Sequence, residues 1–263
     1  MHDIIANGHR IAYVRQGSGP TILFAHALGA SSALWQPQLA ELSKRFDCIA
    51  YDARGHGGSE TPAPPWRLDD LAADALALLD GLAVERCVFV GISMGGMIGL
   101  HLALAAPQRL RGLVVCDSAA SFAPEARAAW RERIEAVRTQ GLAPLVGTMM
   151  ERWFTAGFRH DHAERVQAVA ATLAASPVAG YLACCEAIRD LDVLDRLPAI
   201  RLPTLVVCGE FDPSTPPAHS RAIAAAIPGA RLEMLPGLNH LPNFERPDLF
   251  NPLLEEFLQR LPD

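Results

Sequence analysis

The chain has 263 residues, half of them hydrophobic by the AVILMFWYC count, which is ample for a sizeable core and excludes a disordered chain. Its 23 Lys and Arg against 29 Asp and Glu give a formal charge of −6 with no block of like charges, so no nucleic-acid footprint is expected.

The opening residues, MHDIIANGHRIAYV, lack a basic stretch followed by a long apolar one, so no cleaved secretory signal is expected. Strand patterns come first, at RIAYVRQ (10–16) and TILFAHA (21–27), then a helix over roughly 32–44 and the strand FDCIAY (46–51). The loop DARGHGGSETPAPPWR follows, too rich in Gly and Pro to be helical. A helix near 67–82 leads to the uncharged run CVFVGISMGGMIGLHLALAAP (87–107), which is long enough to span a bilayer. Its first part is β-branched, its second is helical, and a glycine cluster separates them. A buried strand, a sharp turn and a buried helix explain the run, so no membrane association is expected.

The strand LRGLVVCD (110–117) comes next. Residues from about 121 to 190 are then helix-like throughout, the pattern of a cap inserted between two strands and lacking a core of its own. Alternation resumes with TLVVCGE, a helix near 215–227, the strand ARLEMLP and a last helix near 246–260. Apolar strands alternating with helices make an α/β fold, with a mostly parallel central sheet flanked by helices. The expected organisation is one domain over 1–263 carrying the helical cap. Six cysteines (Cys48, Cys87, Cys116, Cys184, Cys185, Cys208) form no CxxC pair and no zinc spacing, which fits a reducing, cytoplasmic setting and no metal.

The most specific motif is Gly91-Ile92-Ser93-Met94-Gly95, set between a strand and a helix as a nucleophile elbow. A Ser hydroxyl attacks only when a base takes its proton. Of nine histidines, His240 lies in the loop just past ARLEMLP, where such a base belongs. His2 and His9 precede the sheet, His101 sits on a buried helix, and His160 and His162 form a lone HxH. His26 and His56 lie in loops, and His219 falls in the helix after Asp212. For the acid that orients the base, Asp212 follows TLVVC, with Asp117 after LRGLVVC as the rival and Glu210 a lesser one. The backbone N–H of Met94 and one from His26-Ala27-Leu28-Gly29, Leu28 first among them, would bind the developing oxyanion.

With these residues assembled, the chain resembles the α/β-hydrolase superfamily over nearly its full length. That family's usual order of nucleophile, acid and base favours Asp212 over Asp117. Family members often carry His-Gly where this chain has His26-Ala27; Ala serves a backbone contact as long as its φ stays negative. The Asp52–Ser59 stretch looks like the family's loop after the fourth strand and is read as structural, without a catalytic part for Arg54 or His56. Within the superfamily the chain is most similar to 3-oxoadipate enol-lactonases, through LGASSALWQPQLAEL, MMERWFTAGF and GYLACCEAIRDLD. The resemblance implies opening of a small lactone to a keto dicarboxylate, as part of aromatic degradation, with no cofactor.

The lactone's free carboxylate needs a cation. Trp130 and Arg133, three apart on one helix face, match positions that family members tend to fill with Trp and Arg, and a second pair, Arg152-Trp153, lies in the RWFTAGF segment. A promiscuous carboxylesterase is the alternative, followed by a perhydrolase, a carbon–carbon bond hydrolase and a non-catalytic hydrolase-fold receptor. The expected partner is a small-molecule ester or lactone, and exposed cap helices offer a surface for a homo-oligomer.

Overall fold

The computed structural model describes residues 1–262. Eight strands form one sheet: β1 (His2–Ala6), β2 (His9–Gln16), β3 (Thr21–Ala25), β4 (Asp47–Tyr51), β5 (Cys87–Ile92), β6 (Leu110–Cys116), β7 (Thr204–Gly209) and β8 (Arg231–Leu235). Their spatial order is β1-β2-β4-β3-β5-β6-β7-β8, antiparallel at β1/β2 and β2/β4 and parallel from β4 onward. The five strands from β4 across to β7 are apolar runs buried almost end to end, as a parallel sheet covered on both faces requires.

β1 is not among the strands expected from the sequence, although its signal is local. Asn7 and Gly8, at φ 51° and 81°, turn the chain in a two-residue hairpin, and Ile4 and Ala6 pair with Ile11 and His9. Buried Asp74 ties this hairpin to the sheet's flank. It accepts Asn7 Nδ2 at 2.7 Å, binds Arg54 through both carboxylate oxygens at 2.5 Å, and lies 3.3 Å from His9 Nε2. Arg54 is therefore spent on structure, as expected; removing one partner of such a buried pair costs about 3–5 kcal/mol.

Helices α1 (Gln36–Leu42), α2 (Leu68–Gly81) and α3 (Met94–Ala105) follow β3, β4 and β5. The helix expected over 32–44 divides into a 3-10 turn at Ser32–Trp35 and the short α1, whose second residue is Pro37. α2 shows the amphipathic pattern its sequence promised, burying Leu68, Leu71, Ala72, Ala75, Leu78 and Leu79, and Asp70 accepts the Arg67 N–H at 2.7 Å at its start. α3 is buried on nearly every side because it lies beneath β3, β5 and β6, which is why the run 87–107 reads as apolar throughout. Among the described residues no single helix is long and apolar enough to cross a membrane.

Between β6 and β7 come α4 (Pro124–Gln140), α5 (Val146–Trp153), α6 (Ala156–Asp161), α7 (Ala163–Ala175) and α8 (Val178–Arg189). Their inward residues, among them Val137, Phe154, Leu173 and Tyr181, belong to the same apolar cluster as the sheet. After β7 and β8 lie α9 (Pro217–Ala226) and then α10 (Pro242–Glu245) with α11 (Pro247–Gln259). All six cysteines are buried and unpaired, and burial drives their thiols far from the thiolate.

Candidate active site

Ser93 occupies the step between β5 and α3 at φ 54° and ψ −116°, a conformation that non-glycine residues rarely adopt. The turn is held by the Ser93 N–H donating to the Cys116 carbonyl at 2.9 Å and the Ser118 hydroxyl donating to the Ser93 carbonyl at 2.8 Å. The flanking glycines are there for space. A Cβ on Gly91 would meet the Gly95 carbonyl oxygen at 2.1 Å, and one on Gly95 would meet the Ala25 oxygen at the same distance. The Ser93 hydroxyl, at the head of α3, makes no hydrogen bond among the described residues and opens into a cavity of about 470 Å³ that His240 also lines.

His240 sits past β8, and its Nδ1 lies 2.8 Å from Asp212 Oδ2 in a pair almost wholly removed from solvent. Asp212 also accepts the Thr215 hydroxyl at 2.7 Å and the Ser214 N–H at 2.7 Å. Burial alone would raise its carboxyl, but His240, Thr215 and Ser214 together hold it below the usual carboxylate range. Asp212 is thus ionised and fixes the ring with Nδ1–H toward itself, leaving Nε2 as the basic nitrogen.

Asp117, the rival acid, is fully buried at φ 43°, and its Oδ1 accepts the Gly209 N–H at 2.8 Å while Oδ2 has no hydrogen-bond partner among the described residues. Burial and the neighbouring Asp212 push its carboxyl well above the usual range. Ligand atoms of Asp117, Asp212 and His240 lie within 4.8 Å of one another, a grouping with metal-site chemistry. Hydrogen bonds from Ser214, Thr215 and His240 already engage both oxygens of Asp212, and burial and that charge hold the neighbouring Asp117 neutral. Glu210 accepts the Gly237 N–H at 3.0 Å in an exposed turn, while His240 Nδ1 is engaged by Asp212.

The loop after β3 brings Leu28 to the cavity wall, and its N–H makes no hydrogen bond among the described residues. Ala27 keeps a negative φ, and the turn's positive φ of 77° falls on Gly29 instead. Beneath this loop are two buried histidines, their ring centres 5.1 Å apart. The Gly29 N–H donates to His56 Nε2 at 2.9 Å, and His56 Nδ1 lies 3.1 Å from the Arg54 carbonyl. The Ala53 N–H donates to His26 Nε2 at 3.0 Å, with His26 Nδ1 2.8 Å from the Ala27 carbonyl.

Burial, reinforced for His56 by His26, lowers both rings, His56 to about 3. The unfolded chain takes up these protons near the ordinary histidine value of about 6.5, which the fold refuses. Stability therefore falls as pH drops from about 6.5 toward 3, by up to about 1.4 kcal/mol per pH unit from His56, with His26 acting in the same direction and Asp117 pulling the opposite way above about pH 4. Urea midpoints at pH 7, 6 and 5 are expected to decline steadily for the wild type and less steeply for His56→Gln. Equal slopes would mean that the buried imidazole is not what makes the fold acid-sensitive.

The cap supplies the remaining wall. Trp130 and Arg133 on α4 both face the cavity, with the guanidinium carbon 5.2 Å from the Trp130 ring centre, and Trp153 lines it from α5. Arg133 Nη2 lies 2.5 Å from Met149 Sδ, a soft and weak acceptor. Arg152, offered by the sequence with Trp153 as a second pair, lines the same cavity and is bonded to the Pro213 carbonyl. Neither arginine forms an ion pair with Asp or Glu among the described residues, and burial and Arg133 both disfavour charge on Arg152. Sequence reasoning missed His219 as a cavity residue. It stands in the first turn of α9, edge-on to Phe122, and burial shifts it toward the neutral form against the pull of Asp212. Its position just after the Asp212 loop, at the sheet's carboxyl edge, was the available signal.

A parallel sheet with an elbow serine at its carboxyl edge, a buried His–Asp pair beyond it and helices over the top defines a hydrolase architecture. The family model for the alpha/beta hydrolase fold matches residues 20–247, and the chain belongs to that family. It is 40% identical to 3-oxoadipate enol-lactonase 2 of Acinetobacter baylyi, over 93% of this chain and 91% of the relative, and 34% identical to enol-lactonase 1 of the same organism, over 93% and 90%. Among solved structures, the enol-lactonase from Burkholderia xenovorans LB400 superposes with a TM-score of 0.94 at 34% identity, covering 98% of this chain and all of that one.

Proposed function

We propose that the enzyme opens a small lactone bearing a free carboxylate, 3-oxoadipate enol-lactone fitting best, through an acyl-enzyme on Ser93. Ser93 Oγ attacks the ring carbonyl while His240 Nε2 takes its proton, and Asp212 stabilises the imidazolium. The oxyanion is bound by the N–H groups of Leu28 and Met94. The ring C–O bond breaks, His240 returns the proton to the departing enol oxygen, and the enol ketonises. His240 then activates water against the acyl carbonyl, Ser93 is released, and a keto dicarboxylate leaves.

The observation that carries the substrate class is that Arg133 and Arg152, neither ion-paired with Asp or Glu among the described residues, line the cavity that Ser93 and His240 share. A half-buried guanidinium without a carboxylate is costly unless a ligand brings one. A carboxylesterase for neutral esters would use the same serine but leave both arginines without a purpose. Arg133→Ala is expected to raise KM for the lactone about 10- to 100-fold, the worth of one charge-assisted contact at about 1.5–3 kcal/mol. KM for p-nitrophenyl acetate stays unchanged. An unaltered lactone KM would remove Arg133 from the site.

A further inference from the structure

The motif left outside the chemistry is the Asp52–Ser59 loop, and its histidine touches the catalytic framework at one specific point. We propose that His56 is a positioning residue for the oxyanion donor, its neutral Nε2 anchoring the Gly29 N–H so that the preceding Leu28 N–H is left pointing free toward the reacting carbonyl. The inference rests on the acyl-enzyme reading above and extends it to a residue that no substrate atom reaches.

The geometry allows one hydrogen-bonding assignment. Nδ1 of His56 faces a carbonyl, so it carries the proton, and Nε2 faces an N–H, so it carries the lone pair. Only the neutral Nδ1–H tautomer satisfies both. His26 repeats the arrangement next to it, accepting from the Ala53 N–H and facing the Ala27 carbonyl. The two rings therefore stitch the loop after β3 to the loop after β4 from both sides, and Asp52 adds a third stitch by accepting the Ser32 N–H at 2.6 Å and the Gly58 N–H at 2.7 Å. Taking up the Gly29 N–H also removes it from competition for the oxyanion, which leaves Leu28 as the one unbonded N–H next to it.

From above, the cap closes on the same residue. A Cβ on Gly29 would meet Leu173 Cδ1 of α7 at 2.4 Å and the Tyr181 ring of α8 at 3.1 Å. Gly29 is thus clamped between His56 below and cap side chains above. Preorganisation of this kind is what gives an oxyanion donor its value, since no energy is then spent on reorienting it during reaction.

The test compares His56→Leu, His56→Asn and His56→Gln, with Ser93→Ala as the blank. Removing an oxyanion donor outright costs about 10²- to 10³-fold in kcat, and letting one drift costs part of that. His56→Leu and His56→Asn, which lose the acceptor toward Gly29, are expected to lower kcat about 10- to 100-fold with KM unchanged. They weaken a boronic acid transition-state analogue by a similar factor. His56→Gln, whose Oε1 can replace Nε2, is expected to recover kcat to within about tenfold. Equal losses in all three variants, or losses in KM alone, would overturn the proposal.

If His56→Leu does not fold, the wild-type enzyme still decides the matter. Its ¹⁵N–¹H correlation spectrum, with His56 assigned by difference from His56→Gln, should show the Nδ1–H tautomer from pH 5 to 9. An Nε2–H tautomer or an imidazolium in that range would overturn it. Turnover surviving in Ser93→Ala would instead remove the acyl-enzyme reading, which separates the two failures.

Discussion

Asp212→Asn is expected to lower kcat about 10³- to 10⁴-fold, while Asp117→Asn stays within about tenfold of wild type. The difference follows from what each carboxyl does, since both are buried and both lie beside His240. Asp212 is ionised and accepts the His240 Nδ1–H at 2.8 Å. An amide there offers an N–H₂ group or a weaker oxygen, favours the wrong tautomer and removes the charge that stabilises imidazolium. The same exchange in a serine protease triad lowers kcat by about 10⁴, which sets the scale.

Asp117 is held in its neutral form by burial and by Asp212, and Asn is close in shape to a protonated carboxyl. The amide oxygen can keep the Gly209 N–H, and the amide nitrogen can face Asp212. Steady-state kinetics of the two variants at pH 7 decide the assignment. A large loss in Asp117→Asn with near-normal Asp212→Asn would transfer the acid's role to Asp117.

Ser93→Ala is expected to abolish turnover, by a factor on the order of 10⁶, with ligand binding retained. Stability separates the strain at this residue from its chemistry. Ala keeps a Cβ at φ 54°, so Ser93→Ala should melt close to wild type. Ser93→Gly relieves a conformational cost of about 1–3 kcal/mol, offset by the about 0.5–1 kcal/mol that a glycine loses in chain entropy. Thermal unfolding should therefore place Ser93→Gly above Ser93→Ala by about 1 kcal/mol. The reverse order would mean that the elbow stores no strain.

The parts of this molecule visible in its sequence are those whose signal is local and repeated. Strand β5, the elbow and helix α3 can be read from one run because β-branched residues, a glycine cluster and a helical stretch follow one another without interruption. His240 and Asp212 can be placed because each lies in a loop that follows a strand, β8 and β7. The hairpin partner β1 escapes notice although Asn7-Gly8 marks its turn, because an edge strand with mostly exposed residues lacks the apolar run of its neighbours.

What stays hidden is long-range. Which side chains of α5 and α9 face the cavity of Ser93 depends on how those helices are brought together across the sheet edge, which no spacing encodes. The two histidine anchors beneath Gly29 could not be foreseen for the same reason. Each joins residues 27 apart in sequence, and in a Gly-rich loop a histidine's partners are set by tertiary approach.

The central claim, an acyl-transfer site suited to a carboxylate-bearing lactone, is tested most directly by kcat/KM for 3-oxoadipate enol-lactone beside p-nitrophenyl acetate, with Ser93→Ala as the blank. The expected result is a lactone value at least about 100-fold above the ester, equivalent to about 2.7 kcal/mol of selective transition-state binding, and neither reaction in the blank. Ester cleavage with little lactone turnover would contradict it, leaving the serine in place and the cavity arginines without their substrate.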